Sequence, residues 1–271
     1  MRQKKILCVI ALSLSCCRAS QEAMSQAMSG PGGPAGPMRP AAPGNLTKVT
    51  DQTVDGLVEK YLAALGGKEK LASLRSLKMT GKLIRQGGIP PTPLTIEKKR
   101  PHEVLRRLEE RPPFLQAVDG NATWEIFPPA GPSPRPMPPW NARRFQHWAT
   151  IESPLADYQA KGSQVELLGK GKAGPAEAYV LKVTFKDGDV SYLSLDAKSF
   201  LLVKNVERAQ LRGQETDVET VYEEYKPVGG VLFPYAESST LVEPGVTQTM
   251  AWDKIEVNVP LSDEDFKPPK D

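Results

Sequence analysis

Few side chains in this sequence could do chemistry. His102 and His147 stand alone, His102 directly after Pro101 where a strand begins. Neither has the sequence neighbours of a general base or a metal ligand, so both read as surface or hydrogen-bonded histidines. Asp119 and Asp187 each precede a glycine, a turn signature that backbone conformation explains. Asp263-Glu264-Asp265 reads as a solvated terminal acidic run. There is no G-x-S-x-G elbow, H-E-x-x-H pair, phosphate loop or dinucleotide fingerprint. The reading is therefore not an enzyme, with no cofactor and no metal ligand set. One constellation stays open. Lys98, Lys99, Arg100, Arg106, Arg107 and Arg111 lie within fourteen residues, diluted by Glu103, Glu109 and Glu110. They could hold an anionic headgroup, or form the solvated face of two neighbouring strands, where lysine also discourages edge pairing.

The three cysteines, Cys8, Cys16 and Cys17, all fall in the first seventeen residues. They follow a basic start (Arg2, Lys4, Lys5) and the apolar run from Ile6 to Leu14. A short apolar run between basic and small residues is an export signal, too short to span a bilayer. Leu14-Ser15-Cys16-Cys17 resembles a bacterial lipobox, with Cys17 as the residue to be lipidated. Cys16 in that role puts Ser13 where a large aliphatic is usual. Plain signal cleavage near Ala19 is the alternative. Removing the signal takes three basic residues and no acid, so the formal charge falls from +3 to zero. With 39% hydrophobic and 25% charged residues, the rest is an ordinary globular composition. It excludes a polytopic membrane protein and a dense basic surface for nucleic acid. With no cysteine left, the folded part has no disulfide.

Residues 18–50 carry Pro31, Pro34, Pro37, Pro40 and Pro43 and no aromatic. That composition reads as a disordered tether with a reach of about 30 Å. The folded domain is expected over 51–271. Val54, Leu57, Val58, Tyr61, Leu62 and Leu65 form one apolar helical stripe, with Asp51 or Thr53 as cap and Gly66-Gly67 as stop. A second short helix is expected at 68–74. After Ser76 the period changes to two, and Leu77, Met79 and Leu83 alternate with Lys78, Thr80 and Lys82. Strands are expected near 76–85, 93–99, 103–110, 114–118, 122–127, 164–169, 176–185, 190–195, 200–208, 215–226, 231–240 and 247–258, joined by short turns into an antiparallel meander.

One stretch interrupts the meander. Residues 128–139 hold seven prolines in twelve positions, so neither strand nor helix is expected there. A short helix is expected over Trp140 to Trp148, and Ser153-Pro154 looks like the cap and first residue of another, ending before Gly162. Trp124, Trp140 and Trp148 put three of the four tryptophans within 25 residues, with Phe127 and Phe145 among them. These rings could plug the sheet or form a lid over an apolar ligand.

The order of several short motifs carries a resemblance. Leu65-Gly66-Gly67 is followed by Lys99-Arg100-Pro101, Val118-Asp119-Gly120 and Trp124-Glu125-Ile126-Phe127-Pro128-Pro129. Gly229-Gly230-Val231-Leu232-Phe233-Pro234, Ile255-Glu256-Val257-Asn258 and Asp265-Phe266 complete the series. Over about 51–268 the chain resembles the bacterial outer-membrane lipoprotein-sorting superfamily, the Lol-type carriers and receptors, and in particular the branch known only as outer membrane lipoprotein-sorting proteins. The resemblance implies a mainly β, α+β fold: a curved antiparallel sheet forming an unclosed half-barrel, with helices covering the concave face. It also implies acyl chains held between sheet and helices. Met79, Leu83, Ile96, Trp124, Phe127, Tyr179, Leu181, Val183 and Phe185 are then the candidate inward residues, with Trp140 at the lid. A one-residue slip of register would turn any of them to the other face, and the same residues would serve a filled core. The chain departs from the soluble carriers in its own anchor, as the receptor branch does, and in the proline loop.

The expected function is a non-catalytic periplasmic binder or carrier of an acyl chain, lipid or lipoprotein, anchored to a bacterial membrane, the outer one favoured. The alternative is a cell-envelope sensor or scaffold with a filled cleft and a protein partner.

Overall fold

A computed structural model describes residues 36–269 apart from 121, 212 and 213. The signal, Cys16, Cys17 and residues 18–35 lie outside the described residues. Thr53 opens helix α1 (Val54–Ala64) by accepting the Gly56 amide on its hydroxyl at 3.1 Å. Gly66 and Gly67, at φ 124° and 100°, end the chain's helical run and lead into α2 (Lys68–Ser73). Leu57, Val58, Tyr61 and Leu62 form the buried face of α1.

The period-two stretch forms β1 (Ser76–Arg85), β2 (Thr92–Lys99), β3 (Glu103–Leu108), β4 (Phe114–Asp119), β5 (Ala122–Ile126) and β6 (Arg135–Pro136). Helix α3 (Pro139–Trp148) follows. Then come β7 (Gln164–Ala173), β8 (Ala176–Thr184), β9 (Val190–Asp196), β10 (Leu202–Leu211) and β11 (Gln214–Glu223). The last are β12 (Lys226–Val228), β13 (Val231–Phe233), β14 (Ala236–Leu241) and β15 (Val246–Val257). Thirteen of the described strands make one antiparallel sheet in the order β6-β5-β4-β3-β2-β1-β15-β14-β11-β10-β9-β8-β7. It is not closed, so β6 and β7 are its edges; β12 and β13 form a separate hairpin. Within the sheet the two halves join at the β1–β15 pairing, where Leu77 lies opposite Val257 and Leu83 opposite Met250.

Alternation gives the sheet two apolar faces. On the inner face Met79, Leu83, Leu94, Ile96, Leu181, Val183 and Leu195 join the buried face of α1 in the main core. On the outer face Leu105, Leu115, Ala117, Trp124 and Ile126 form a smaller cluster closed by Phe266. Phe266 is fully buried, and its carbonyl accepts the Trp124 indole N–H at 2.7 Å. Burying that ring contributes about 2 kcal/mol toward holding the chain terminus on the sheet.

Three expectations need correction. Residues 36–50 are not a free tether: Thr47 pairs with Lys170 along the β7 edge, and Met38 is buried with its amide 2.6 Å from Asp189 Oδ1 and its carbonyl on the Val190 amide at 2.8 Å. Covering an open sheet edge supplies backbone partners that composition does not reveal. The proline loop does hold structure, a 3₁₀ turn at Pro128–Ala130 and the two-residue β6. Both are places where a missing N–H is tolerated, the first helical turn and an edge strand. Residues 154–162 form successive turns rather than a helix, with Asp157 at φ 50° breaking the helical path.

Candidate functional site

The inner face is not filled throughout. Between α3 and the sheet lies an open cavity of about 860 Å³, within the roughly 300–1,000 Å³ of small-molecule sites. Its roof is α3, started by Pro139 at the first helical position, with Trp140, Phe145 and Trp148 turned toward the sheet. Leu108, Phe114 and Phe127 form one wall, and Phe114 and Phe127 meet edge to face at 5.6 Å. The opposite wall, from β10, β11, β14 and β15, is more polar: Asn205, Glu207, Thr220, Ser239 and Gln248, with Ala209, Val218 and Met250 between them. The loops that follow β1 and β3 complete the lining, with Ile89, Pro90 and Pro91 from one and Arg111 and Pro112 from the other.

The ten candidate ligand residues separate. Phe127 and Trp140 line the cavity. Met79, Leu83, Ile96, Tyr179, Leu181 and Val183 face inward but are packed in the main core with α1 and do not line it. Phe185 is half-buried and stacks on His147, ring centres 3.8 Å apart. Trp124 is on the outer face, because alternation along β5 sends it and Glu125 to opposite sides. Phe114 and Leu108 were missed as wall residues, since nothing in their strands tells a hollow from a packed face.

Charged groups at the cavity are mostly paired. Arg85 donates to Glu110 at 2.7 Å and to Thr92 Oγ1 at 2.9 Å; Arg144 donates through Nε to Glu207 at 3.0 Å. Behind the apolar wall Gln116 donates to Glu125 at 3.3 Å, and Arg135 forks onto the same carboxylate. Arg106 Nη1 donates to Gln116 Oε1 at 3.1 Å, while its Nε is buried without a partner. Burial and the nearby Arg85 and Arg144 pull the Arg106 pKa down to about 10. Glu237 accepts from the Trp252 indole at 3.0 Å, and burial raises its carboxyl above the usual range. The hydroxyls of Thr220 and Ser239 bond to each other at 2.9 Å rather than to a base.

Lys98 ties the roof down. Its ammonium is buried, donates to the Trp148 and Thr150 carbonyls at 2.6 and 3.0 Å, and sits 4.3 Å over the Trp148 ring. A cation at the C-terminal end of α3 also complements the helix dipole. Desolvation lowers its pKa to about 8, against the pull of Glu237 and Glu152. The folded pKa is below the unfolded one, so between about pH 8 and 10.5 the unfolded chain holds a proton the folded chain has released. Stability should therefore rise over pH 8–10 by roughly 2–3 kcal/mol from this group, before Tyr61, raised to about 12 by burial, reverses the trend. Urea unfolding of Lys98→Met should lose that rise; an equal slope in the variant would rule Lys98 out as its source.

His147, Asp187 and Asp189 bring ligand atoms within 4.8 Å of one another, the one such group among the described residues. Their atoms already have partners. His147 Nε2 meets Asp187 at 2.9 Å, and Asp189 takes the Met38 amide on one oxygen and Arg143 Nε, at 3.2 Å, on the other. The cluster fastens the N-terminal segment and α3 to the β8–β9 turn.

No protein-family model matches this sequence, and no curated protein matches it. Solved structures match in shape. A DUF1329 family protein from Desulfovibrio piger aligns with a TM-score of 0.53 at 11% identity, over 79% of this chain and 97% of that one. A putative outer membrane lipoprotein-sorting protein domain from Vibrio parahaemolyticus gives 0.52 at 13%, over 77% and 97%. A LolA superfamily protein from Nitrosomonas europaea gives 0.53 at 12%, over 80% and 98%. Identities this low speak for the fold, and the fold of this chain is the unclosed half-barrel of these LolA-type lipoprotein-sorting structures.

Proposed function

We propose that this protein is an exported, non-catalytic binder or carrier of an acyl chain, lipid or lipoprotein, held on a bacterial membrane, the outer one, by a lipid on Cys17. The observation that carries the reading is the open cavity of about 860 Å³ roofed by α3, aromatic on one side and polar on the other. Such a lining suits an amphiphile: each methylene moved out of water contributes about 0.8 kcal/mol, and the polar wall leaves room for a head. An envelope scaffold with a filled cleft is the weaker reading, because the interior is hollow and Trp140 is buried rather than displayed.

The test is native mass spectrometry of the chain from residue 18 onward, which holds every described residue, purified from a bacterial host without detergent. Stoichiometric fatty acid or phospholipid supports the carrier. A clean protein that also fails to take up a fluorescent fatty acid overturns it. Phe127→Ala and Phe145→Ala should each weaken uptake about tenfold by removing wall area. Trp124→Ala, on the outer face, should leave uptake intact and cost about 3 kcal/mol of stability instead. The reverse pattern would put the ligand on the wrong side of the sheet for this reading.

A further inference from the structure

The fold sorts the six basic residues that stand close in sequence. Lys99 pairs with Asp263, and Arg100 pairs with Glu152 while donating to the Leu71 carbonyl at 3.1 Å. Lys98 is committed to the carbonyls at the end of α3. Arg107 points to the outer side, 3.9 Å from Glu109, and Arg111 is exposed at the cavity rim. Arg106 alone among the strand residues of this group faces the cavity without an acidic partner.

Its guanidinium has five N–H donors, and among the described residues it makes one hydrogen bond, from Nη1 to the neutral Gln116. Nη2 therefore makes no hydrogen bond among the described residues, while Nε is buried without a partner. A guanidinium held this way can give its terminal N–H groups to a carboxylate or phosphate oxygen as charge-assisted hydrogen bonds. Of the other cations on the cavity, Arg85 holds Glu110 and Arg144 holds Glu207, while Arg111 sits exposed at the rim, away from the buried wall. No carboxylate hydrogen-bonds Arg106 among the described residues: Glu110 acts on it through space but is held by Arg85, and Glu125 is reached only through Gln116 and is already bound by Arg135. A shielded, uncompensated cation in an otherwise aromatic wall is costly unless something arrives to pair it.

We infer that the cavity selects amphiphiles with an anionic oxygen head, and that Arg106 binds that head while the chain lies along Phe114, Phe127 and α3. This rests on the acyl-binding reading above. A fatty acid and a phospholipid offer the same oxyanion chemistry, and the test separates them.

The experiment measures affinity of the chain from residue 18 onward for a dansyl fatty acid and for its methyl ester, then competition by lysophosphatidic acid and by monoacylglycerol. The wild type should bind each anionic member about tenfold or more tighter than its neutral analogue, the worth of one charge-assisted contact. Arg106→Gln should bring acid and ester within about threefold, chiefly by weakening the acid. Arg106→Lys should keep part of the preference. The pair with the larger Arg106-dependent ratio names the headgroup. Equal wild-type affinities for acid and ester, or a preference that survives Arg106→Gln, overturn the inference and spare the acyl-binding reading. No uptake of any probe overturns both. Equal wild-type affinities overturn the inference without any variant, and Arg106→Lys reads the assignment to Arg106 should Arg106→Gln fail to fold.

Discussion

Gly81→Ala should lower the unfolding free energy by about 3 kcal/mol or more, and the melting temperature by about 10 °C. A Cβ built on Gly81 would meet the Ala251 carbonyl oxygen at 2.1 Å, Trp252 Cα at 2.8 Å and the Ala251 carbonyl carbon at 3.0 Å. All three are backbone atoms, so no side chain can rotate aside. The register explains the crowding: Thr80 pairs with Lys254 but Gly81 with Trp252, and the skipped Asp253 makes a bulge that pushes β15 toward β1. This pairing is the one seam between the two halves of the sheet. Relieving the clash means parting strands there, which also disturbs Trp252 and its bond to Glu237. Since a domain has only about 5–15 kcal/mol in total, the variant should be poorly folded at physiological temperature. Circular dichroism melts would check this. A melting point within a degree or two of wild type would show that the bulge can absorb a methyl group.

The seam also shows how far sequence reaches. The expected strand at 76–85 coincides with β1, and those at 190–195 and 247–258 come within a residue of β9 and β15. Alternation with one buried face is a local signal, and it survives folding because each strand buries its own apolar set. The stretches expected at 215–226 and 231–240 each divide at Glu224 or Pro234, where a small hairpin leaves the sheet. Propensity does not mark that exit. The site was legible only in part. Trp140, Phe145 and Trp148 were readable as a lid because they recur on one face of a short helix. That Leu181 and Val183 are packed while Phe114 borders a hollow depends on where α1 and α3 come to rest, which no strand encodes by itself. Trp124 and Phe127 are three residues apart on one extended run and fall on opposite faces, so assigning both inward was open to correction from parity alone.

Ala209→Trp should abolish acyl uptake, a loss of about a hundredfold or more, with little change in stability. Ala209 is on β10 at the polar wall and lines the cavity beneath α3. Glu207, two residues away on the same face, reaches up to Arg144 of the roof helix, so a large side chain at 209 must project into the same gap. Overpacking a filled core costs about 1–3 kcal/mol because neighbours must move. Here the indole enters existing space and buries its own apolar surface, which offsets most of that cost. Ligand and indole would then compete for one volume, and a tethered group competes at an effective concentration that a free amphiphile in the micromolar range cannot match. The informative result is the contrast within one variant: probe binding gone, unfolding midpoint held. Ala209→Ser, which adds a single oxygen, should bind nearly as well as wild type and controls for the position. If Ala209→Trp still took up the probe at full stoichiometry, the chain would have to lie outside this cavity, and the acyl-binding reading would lose the observation it stands on.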